Sequence, residues 1–168
     1  MTSPLENLVF LVVDDNANMA TIVRTILLSF GVRRVLEAQD VGEAFEKVRH
    51  NNVDVVLLDY NLGFMDGVEF VKLMRTASDS PNKYLPIIMV TAYTEHYRVE
   101  TARDAGVNEF CAKPVTAIQI YRRICEVIER PRPYVRTAGY FGPDRRRHDL
   151  GDRYTGPERR AERAAEAS

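Results

Sequence analysis

The chain has 168 residues, of which 45% are hydrophobic and 28% are charged, and its formal net charge at pH 7 is -1. This length and composition allow one domain of ordinary size with a real hydrophobic core, followed by a tail. A net charge near zero argues against a protein that binds nucleic acid through its overall charge. No apolar run approaches the roughly 18 residues of a membrane span, and the N-terminus lacks a signal peptide pattern. The two cysteines, Cys111 and Cys125, are expected to be buried thiols, so we expect a cytoplasmic protein with no membrane association.

Apolar segments of strand length alternate along the chain with amphipathic helical segments. The expected strands cover residues 8–13, 35–38, 53–58, 86–90 and 109–112, and the expected helices cover residues 19–30, 41–48, 68–74, 95–105 and 116–130. Capping boxes are expected at Asp40 with Glu43, Asp66 with Glu69 and Thr116 with Gln119, and C-cap glycines at Gly31 and Gly106. The pattern predicts a doubly wound α/β domain with a five-stranded parallel sheet over residues 1–130, ahead of an irregular tail over residues 131–168.

Polar side chains follow four of these strands directly. The first strand ends in Asp14 and Asp15, the third in Asp59, the fourth in Thr91 and the fifth in Lys113. A single acid at such a place would be an ordinary turn residue. In a parallel sheet, however, the carboxyl ends of the strands share one edge, where open α/β sheets bind their ligands. We therefore expect these five side chains to converge.

Converging carboxylates need a counter charge, because two unit charges ~4 Å apart repel by ~4 kcal/mol at an effective dielectric of about 20. Mg²⁺ suits such a site, since it prefers oxygen ligands and leaves positions for phosphate oxygens. Lys113 and Thr91 add a cation and a hydroxyl donor, which a transferred phosphoryl group requires. The remaining carboxylate can act as a nucleophile and form an aspartyl phosphate.

This constellation resembles the CheY-like receiver domain of two-component response regulators, over about residues 8–129. The matching residues are Asp14-Asp15, Asp59, Met65-Asp66-Gly67, Thr91-Ala92 and Lys113-Pro114. At two positions the sequence departs from the commonest pattern of the family, because Gly63 stands in place of a proline and Leu62 in place of a methionine. The resemblance implies a flavodoxin-like fold.

The resemblance also implies roles for individual residues. Asp59 would be the phosphorylation site, and Asp15, Asp59 and the backbone carbonyl of Asn61 would bind Mg²⁺, with Asp14 helping through water. Lys113 would pair with the phosphoryl group, and the Lys113-Pro114 peptide bond would be cis.

A switching role is expected for Phe110, three residues before Lys113. Phosphorylated Asp59 would draw the Thr91 hydroxyl inward, and Phe110 would fill the space that Thr91 leaves. The alternative is that Phe110 is an ordinary core residue. Tyr93 is expected to shade the site from attacking water.

The last helix carries an apolar stripe wider than one core face requires. Tyr97, Phe110, Ile118 and Tyr121 are the candidates for a face that binds a protein partner or a second copy of the chain. The alternative is that the sheet covers most of the stripe.

The tail after residue 130 contains nine arginines against six acids and few aliphatic residues, so it is not expected to form a core of its own. It also contains a repeat, in which the sequence of residues 140–146, YFGPDRR, recurs as YTGPERR at residues 154–160. Each copy predicts a Gly-Pro turn with the proline opening a helix. Docking on a partner, docking on the receiver domain and disorder are all compatible with this composition. The interspersed acids argue against binding nucleic acid.

The function that these features favour is a stand-alone response regulator, which takes a phosphoryl group from a histidine kinase or a phosphotransfer protein and then binds a downstream protein. A phosphate shuttle or sink in a phosphorelay is one alternative, and a nucleic-acid effector acting through the arginine-rich tail is another. We expect no enzyme activity on a free substrate, beyond the domain's own phosphorylation and dephosphorylation.

Overall fold

The computed structural model of the chain describes residues 2–92 and 96–145. The strands are β1 (Val9–Val13), β2 (Arg34–Ala38), β3 (Val55–Asp59), β4 (Asn61–Leu62), β5 (Met65–Asp66), β6 (Ile87–Thr91), β7 (Glu109–Ala112), β8 (Tyr134–Thr137) and β9 (Tyr140–Pro143). The helices are α1 (Ala17–Ser29), α2 (Val41–His50), α3 (Gly67–Thr76), α4 (His96–Ala105) and α5 (Ala117–Glu129).

A five-stranded parallel sheet in the order β2-β1-β3-β6-β7 forms the centre of the molecule. All five residues of β3 are buried, because β3 lies in the middle of the sheet with helices on both faces. One core lies between the sheet and helices α1 and α5, and the other lies between the sheet and helices α2, α3 and α4. The predicted doubly wound fold is thus confirmed.

Side-chain caps begin two of the helices as predicted. Asp40 accepts a hydrogen bond from the Glu43 amide at 2.8 Å, and Thr116 accepts one from the Gln119 amide at 3.2 Å. The predicted capping box at Asp66 is wrong, because Asp66 occupies the N-cap position without a side-chain cap bond. Its backbone instead pairs with Asn61 in the short β4–β5 ladder.

Residues 131–145 form an ordered hairpin rather than an irregular segment. Strands β8 and β9 pair antiparallel, with Tyr134 opposite Pro143 and Thr137 opposite Tyr140. The prediction of an irregular tail is therefore wrong for residues 134–143, and Pro143 ends a strand instead of opening a helix. The second copy of the repeat lies outside the described residues.

The hairpin packs against the parallel-sheet domain through aromatic side chains, in place of the aliphatic ones that the tail lacks. The Tyr134 ring lies 5.0 Å from that of Tyr84, and the Phe141 ring lies 5.5 Å from the same Tyr84 ring. The Tyr134 hydroxyl donates a hydrogen bond to the Tyr84 carbonyl at 2.9 Å. Packing between the domain and the chain beyond it thus continues past the predicted boundary at residue 130.

Candidate functional site

Three carboxylates meet at the carboxyl edge of the sheet. Asp14 and Asp15 directly follow β1, and Asp59 ends β3, which pairs with β1 in parallel. One ligand oxygen from each of the three lies within 4.8 Å of the other two. Asp14 and Asp59 are buried, whereas Asp15 is exposed. The predicted convergence of the acids is confirmed by this geometry.

The electrostatic cost of this grouping shows in Asp14. The pKa of its carboxyl is raised from 3.8 to about 6, chiefly by burial, and the neighbouring charge of Asp59 contributes to this rise. The Asn16 amide, which donates to the Asp14 carboxylate at 2.9 Å, acts in the opposite direction. The charged form of Asp14 is therefore disfavoured, chiefly because burial removes its carboxylate from water.

An amine faces the third carboxylate. The Lys113 Nζ atom lies 3.0 Å from the Asp59 Oδ1 atom, and both side chains are mostly shielded from solvent. The Lys113 amide also donates to the Thr91 carbonyl at 2.9 Å, so the ends of β6 and β7 are held together. Thr91 is 7% exposed, and the Lys113-Pro114 peptide bond is cis, as the resemblance implies.

The loop after Asp59 is a small hairpin that closes over the site. Asn61 lies on β4, and its side-chain oxygen accepts a hydrogen bond from the Gly63 amide at 3.3 Å. Gly63 has a φ of +76°, which suits glycine in the turn between β4 and β5. A Cβ atom added at Gly63 would lie 3.7 Å from the Asp15 carboxylate, so this turn passes close to the acids.

Gly67 has a separate steric role at the same site. A Cβ atom at Gly67 would overlap the carbonyl oxygen of Asp59, and its amide donates to the Tyr60 carbonyl at 2.6 Å. The first turn of α3 therefore packs directly against the backbone that carries Asp59. Only a residue without a side chain permits this approach.

The acids fit a hard divalent cation. Three carboxylates and one ammonium group give the site an excess of negative charge, and the charges of Asp59 and Asp15 both contribute to the raised pKa of Asp14. Carboxylate oxygens are the ligands that Mg²⁺ prefers. The donor set is thus the type that holds Mg²⁺.

Two of the residues expected to form a partner face, Phe110 and Tyr121, lie on different sides of the molecule. Tyr121 contacts the Phe30 ring on the α1 side of α5, at a centroid distance of 5.3 Å. Phe110 is half-buried and lines a groove of about 320 Å³ together with Arg123. Residues 121 and 123 point in nearly opposite directions on a helix with 100° per residue, so Phe110 and Tyr121 face different ways.

The other members of the predicted face have varied environments. Ile118 is 66% exposed, whereas Ile120, Ile124 and Val127 of the same helix are buried. The stripe on α5 is therefore wider than the core covers, as expected. Tyr97 belongs to α4, but its side chain lies outside the described part of the chain, as does all of Tyr93.

Sequence reasoning missed a buried cation at the opposite edge of the sheet. Arg75 is 1% exposed, and its guanidinium donates to the carbonyls of Gly106, Lys83 and Leu85 and to the Asn108 side chain, at 2.7 to 3.1 Å. The Tyr134 ring of the hairpin lies 5.3 Å from this guanidinium. In the sequence, Arg75 resembles any basic residue in the last turn of a helix, so no local signal distinguishes it.

No helix in the described ranges, 2–92 and 96–145, combines the length and the apolar composition needed to cross a membrane.

Comparison with known proteins supports the geometry. Residues 10–125 match the response regulator receiver domain family. The chain is 32% identical over 125 residues to chemotaxis protein CheY-3 of Vibrio cholerae, which covers 74% of this chain and 95% of that protein. It is 40% identical over 119 residues to chemotaxis protein CheY1 of Helicobacter pylori, which covers 70% of this chain and 94% of that protein.

Solved structures show the same fold. Chemotaxis protein CheY4 of Vibrio cholerae is similar with a TM-score of 0.66 and 29% identity, over 72% of this chain and 98% of that one. The receiver domain of sensor histidine kinase PA1611 from Pseudomonas aeruginosa has a TM-score of 0.62 and 28% identity, over 70% of this chain and 93% of that one. That structure is described with a magnesium ion coordinated in its active-site cleft. On the match to more than half of its length, together with the acid cluster, this chain belongs to the response regulator receiver domain family.

Proposed function

We propose that the chain is a response regulator that accepts a phosphoryl group on Asp59 from a histidine kinase or a phosphotransfer protein. The observation that carries this proposal is the contact of 3.0 Å between the Asp59 carboxylate and the Lys113 amine, inside a group of three carboxylates. One oxygen of Asp14 accepts a hydrogen bond from the Asn16 amide. Asp15 is exposed.

In the proposed transfer, an oxygen of Asp59 attacks the phosphorus of a phosphohistidine. The new P–O bond forms as the P–N bond breaks, and the electron pair of the broken bond stays on the imidazole nitrogen. The Lys113 ammonium offsets negative charge on the transferred oxygens, and the Thr91 hydroxyl donates a hydrogen bond to one of them. Water later cleaves the acyl phosphate, so no free substrate is turned over and the domain is not an enzyme in that sense.

Mg²⁺ would be held by Asp15, Asp59 and the Asn61 carbonyl, with Asp14 contributing through water. When bound, it neutralises charge on the acids and on the phosphoryl oxygens. The raised pKa of Asp14 and the oxygen donors support this assignment.

The free thiols of Cys111 and Cys125 fit a reducing compartment, so we propose that the protein is cytoplasmic.

Replacement of the acceptor tests the proposal directly. We expect the wild-type chain, incubated with phosphoramidate and Mg²⁺, to gain the mass of one phosphoryl group, and we expect Asp59→Asn to gain none. Asp79→Asn is the matched control, because Asp79 is exposed and pairs with Arg49 far from the site. Equal labelling of Asp59→Asn and the wild type contradicts the assignment, and so does an unlabelled wild type.

The output of the domain is proposed to be a change in protein binding, transmitted by Thr91 and Phe110. Thr91 is buried at the site, and Phe110 is half-buried on the adjacent strand with space beside it in the groove. Phosphorylation would shift the population toward the state in which Phe110 points inward. The downstream partner is a protein that binds in this groove.

Phe110→Ala tests the switch. We expect beryllofluoride, which mimics the phosphoryl group, to raise the affinity of the wild type for its downstream partner and to leave the affinity of Phe110→Ala unchanged. Isothermal titration of both proteins, with and without beryllofluoride, gives the two ratios. The same ratio in both proteins rules out the switch role. Rapid phosphotransfer in both directions without any change in partner affinity would favour the phosphate shuttle instead.

A further inference from the structure

The first copy of the tail repeat folds into a compact unit over Tyr140–Arg145. The Tyr140 hydroxyl donates to the Pro143 carbonyl at 2.7 Å, and the Arg145 guanidinium lies 4.6 Å from the centre of the Tyr140 ring. A Cβ atom on Gly142 would lie 2.6 Å from the Tyr140 hydroxyl, so only glycine leaves room for it. These four residues are positions at which the two copies of the repeat are identical. The identical residues thus shape the unit.

The remainder of the chain supplies a matching surface, which we call the unit site and define by Asp104, Gly106 and Pro133. The Asp104 carboxylate pairs with Arg145 at 2.5 Å. The Pro133 carbonyl accepts the amide that follows Pro143 at 2.7 Å. A Cβ atom on Gly142 would also lie 3.0 Å from the Gly106 Cα atom, so two glycine backbones approach each other there. The unit site therefore contacts Gly142 and Arg145, which lie at positions where the two copies of the repeat are identical.

The copies differ at two positions, and neither of these contributes its side chain to the unit-site contacts described above. Phe141, which is threonine in the second copy, contacts the rings of Tyr84 and Tyr134 instead of the unit site. Asp144 becomes a glutamate, and the group that it gives to Pro133 is its backbone amide, which any non-proline residue carries. At the equivalent positions the second copy has the same residue types, and a backbone amide, that contact the unit site in the first copy, but it lacks the phenylalanine that contacts Tyr84, Tyr134 and Arg136.

We propose that the unit site is a binding site for the repeated unit as such, and that the second unit, residues 154–160, is its alternative occupant on the same chain. Charge complementarity supports this occupant, because the second unit carries Arg159 at the position of Arg145 and can offer it to Asp104.

The length of the connecting chain determines which unit occupies the unit site. Residues 138–139 connect β8 to the first unit, whereas residues 138–153 would connect β8 to the second. Three doublings of loop length lower the probability of closure roughly 20-fold. The first unit therefore holds the site in the free protein, and the second is available to a partner. A partner that captures the first unit leaves the second to cover the site again.

Two arginine substitutions in the full-length chain test the exchange. Arg145 is exposed, so Arg145→Ala weakens the first unit without opening the core. The readout is the Gly106 amide resonance in a ¹H–¹⁵N spectrum. We expect Arg159→Ala to leave it in place, Arg145→Ala to move it part of the way, and the double variant to move it further than the two single shifts combined. A double variant whose shift equals the combined single shifts overturns the proposal.

Arg136→Ala is the matched control, because Arg136 is an exposed hairpin arginine that lies over Phe141 and not at the unit site. Its effect on Gly106 should not depend on Arg159. Any dependence counts against the unit site as the place of exchange.

A peptide provides an independent test. We expect a fluorescein-labelled peptide of residues 152–162 to bind the Arg145→Ala/Arg159→Ala chain at least tenfold more tightly than the wild type, whose site is filled. Adding Asp104→Asn to that chain should remove the difference. Fluorescence anisotropy measures all three affinities. Equal binding to the wild type, no binding to the double variant, or indifference to Asp104→Asn each overturns the proposal.

Discussion

Two buried charged centres lie at opposite edges of the same sheet, and the groups that surround them differ in kind. Arg75, at the amino ends of β6 and β7, is surrounded by neutral oxygens that accept its donors. The acids at the carboxyl ends of β1 and β3 face one another, with Lys113 as the amine that pairs with Asp59. A buried charge with its hydrogen bonds made holds a structure together, whereas a cluster of like charges recruits a ligand.

The two edges of the sheet also differ in the contacts that hold them together. The Arg75 guanidinium ties α3 to the segments that precede β6 and β7, and Tyr134 of the hairpin lies over it. That edge depends on contacts between distant parts of the chain. The acid edge depends mainly on residues directly at strand ends. Removing the charge of Arg75 should therefore destabilise the fold. Removing the charge of one of the acids should instead weaken the function of the site.

Arg75→Met is expected to have the largest effect on stability. It leaves several buried oxygens without a donor, so the free energy of unfolding should fall by about 3–5 kcal/mol. Urea denaturation measures this loss. Arg49→Met is the control, because Arg49 makes exposed ion pairs and should cost less than about 1 kcal/mol. Equal losses in the two variants would show that the oxygens around Arg75 do not depend on it.

Asp15→Asn should have no cost in the absence of Mg²⁺, because Asp15 is exposed and its charge repels its neighbours. At Mg²⁺ concentrations tenfold above the wild-type Kd, the wild type should gain about 1.4 kcal/mol of stability. The variant should gain much less. Thermal unfolding with Mg²⁺ and with EDTA measures both values. A variant that gains as much as the wild type would exclude Asp15 as a ligand.

Tyr134→Phe should have the smallest effect. It keeps the ring over Arg75 and removes a hydroxyl that bonds to the Tyr84 carbonyl and the Asn108 side chain. We expect a loss of about 1 kcal/mol in urea denaturation. Tyr84→Phe, which alters an exposed tyrosine, should stay within about 0.5 kcal/mol. A larger loss from Tyr84→Phe than from Tyr134→Phe would show that the Tyr84 hydroxyl, and not the Tyr134 hydroxyl, contributes to stability.

Much of the fold could be predicted because its signals are local. The apolar run of β3 and the capping residues Asp40 and Thr116 mark elements without reference to the rest of the chain. Asp66 matched the same capping pattern, and α3 begins directly after it, but its side chain makes no cap bond and its backbone pairs with Asn61. The local pattern thus predicted the helix correctly but not the hydrogen bond at its start.

The hairpin could not be predicted because its stability comes from surfaces elsewhere in the chain. Tyr134 and Phe141 pack on Tyr84, some 50 residues away, and Gly142 lies so close to residue 106 that a Cβ atom on Gly142 would be 3.0 Å from the Gly106 Cα atom. The repeat was visible in the sequence, but its contacts with Asp104 were not. Composition therefore suggested an unpacked segment at residues 134–143, where the structure has a packed hairpin.

The five strands of the parallel sheet and the convergence of the acids that follow them were predictable from the sequence alone, because a parallel sheet brings strand ends to one edge whatever its helices contain. Tertiary structure alone decided which charge is buried and satisfied, as at Arg75, and where the chain beyond α5 packs. Those features depend on distances between residues far apart in sequence, for which a single chain of letters carries no periodic signal.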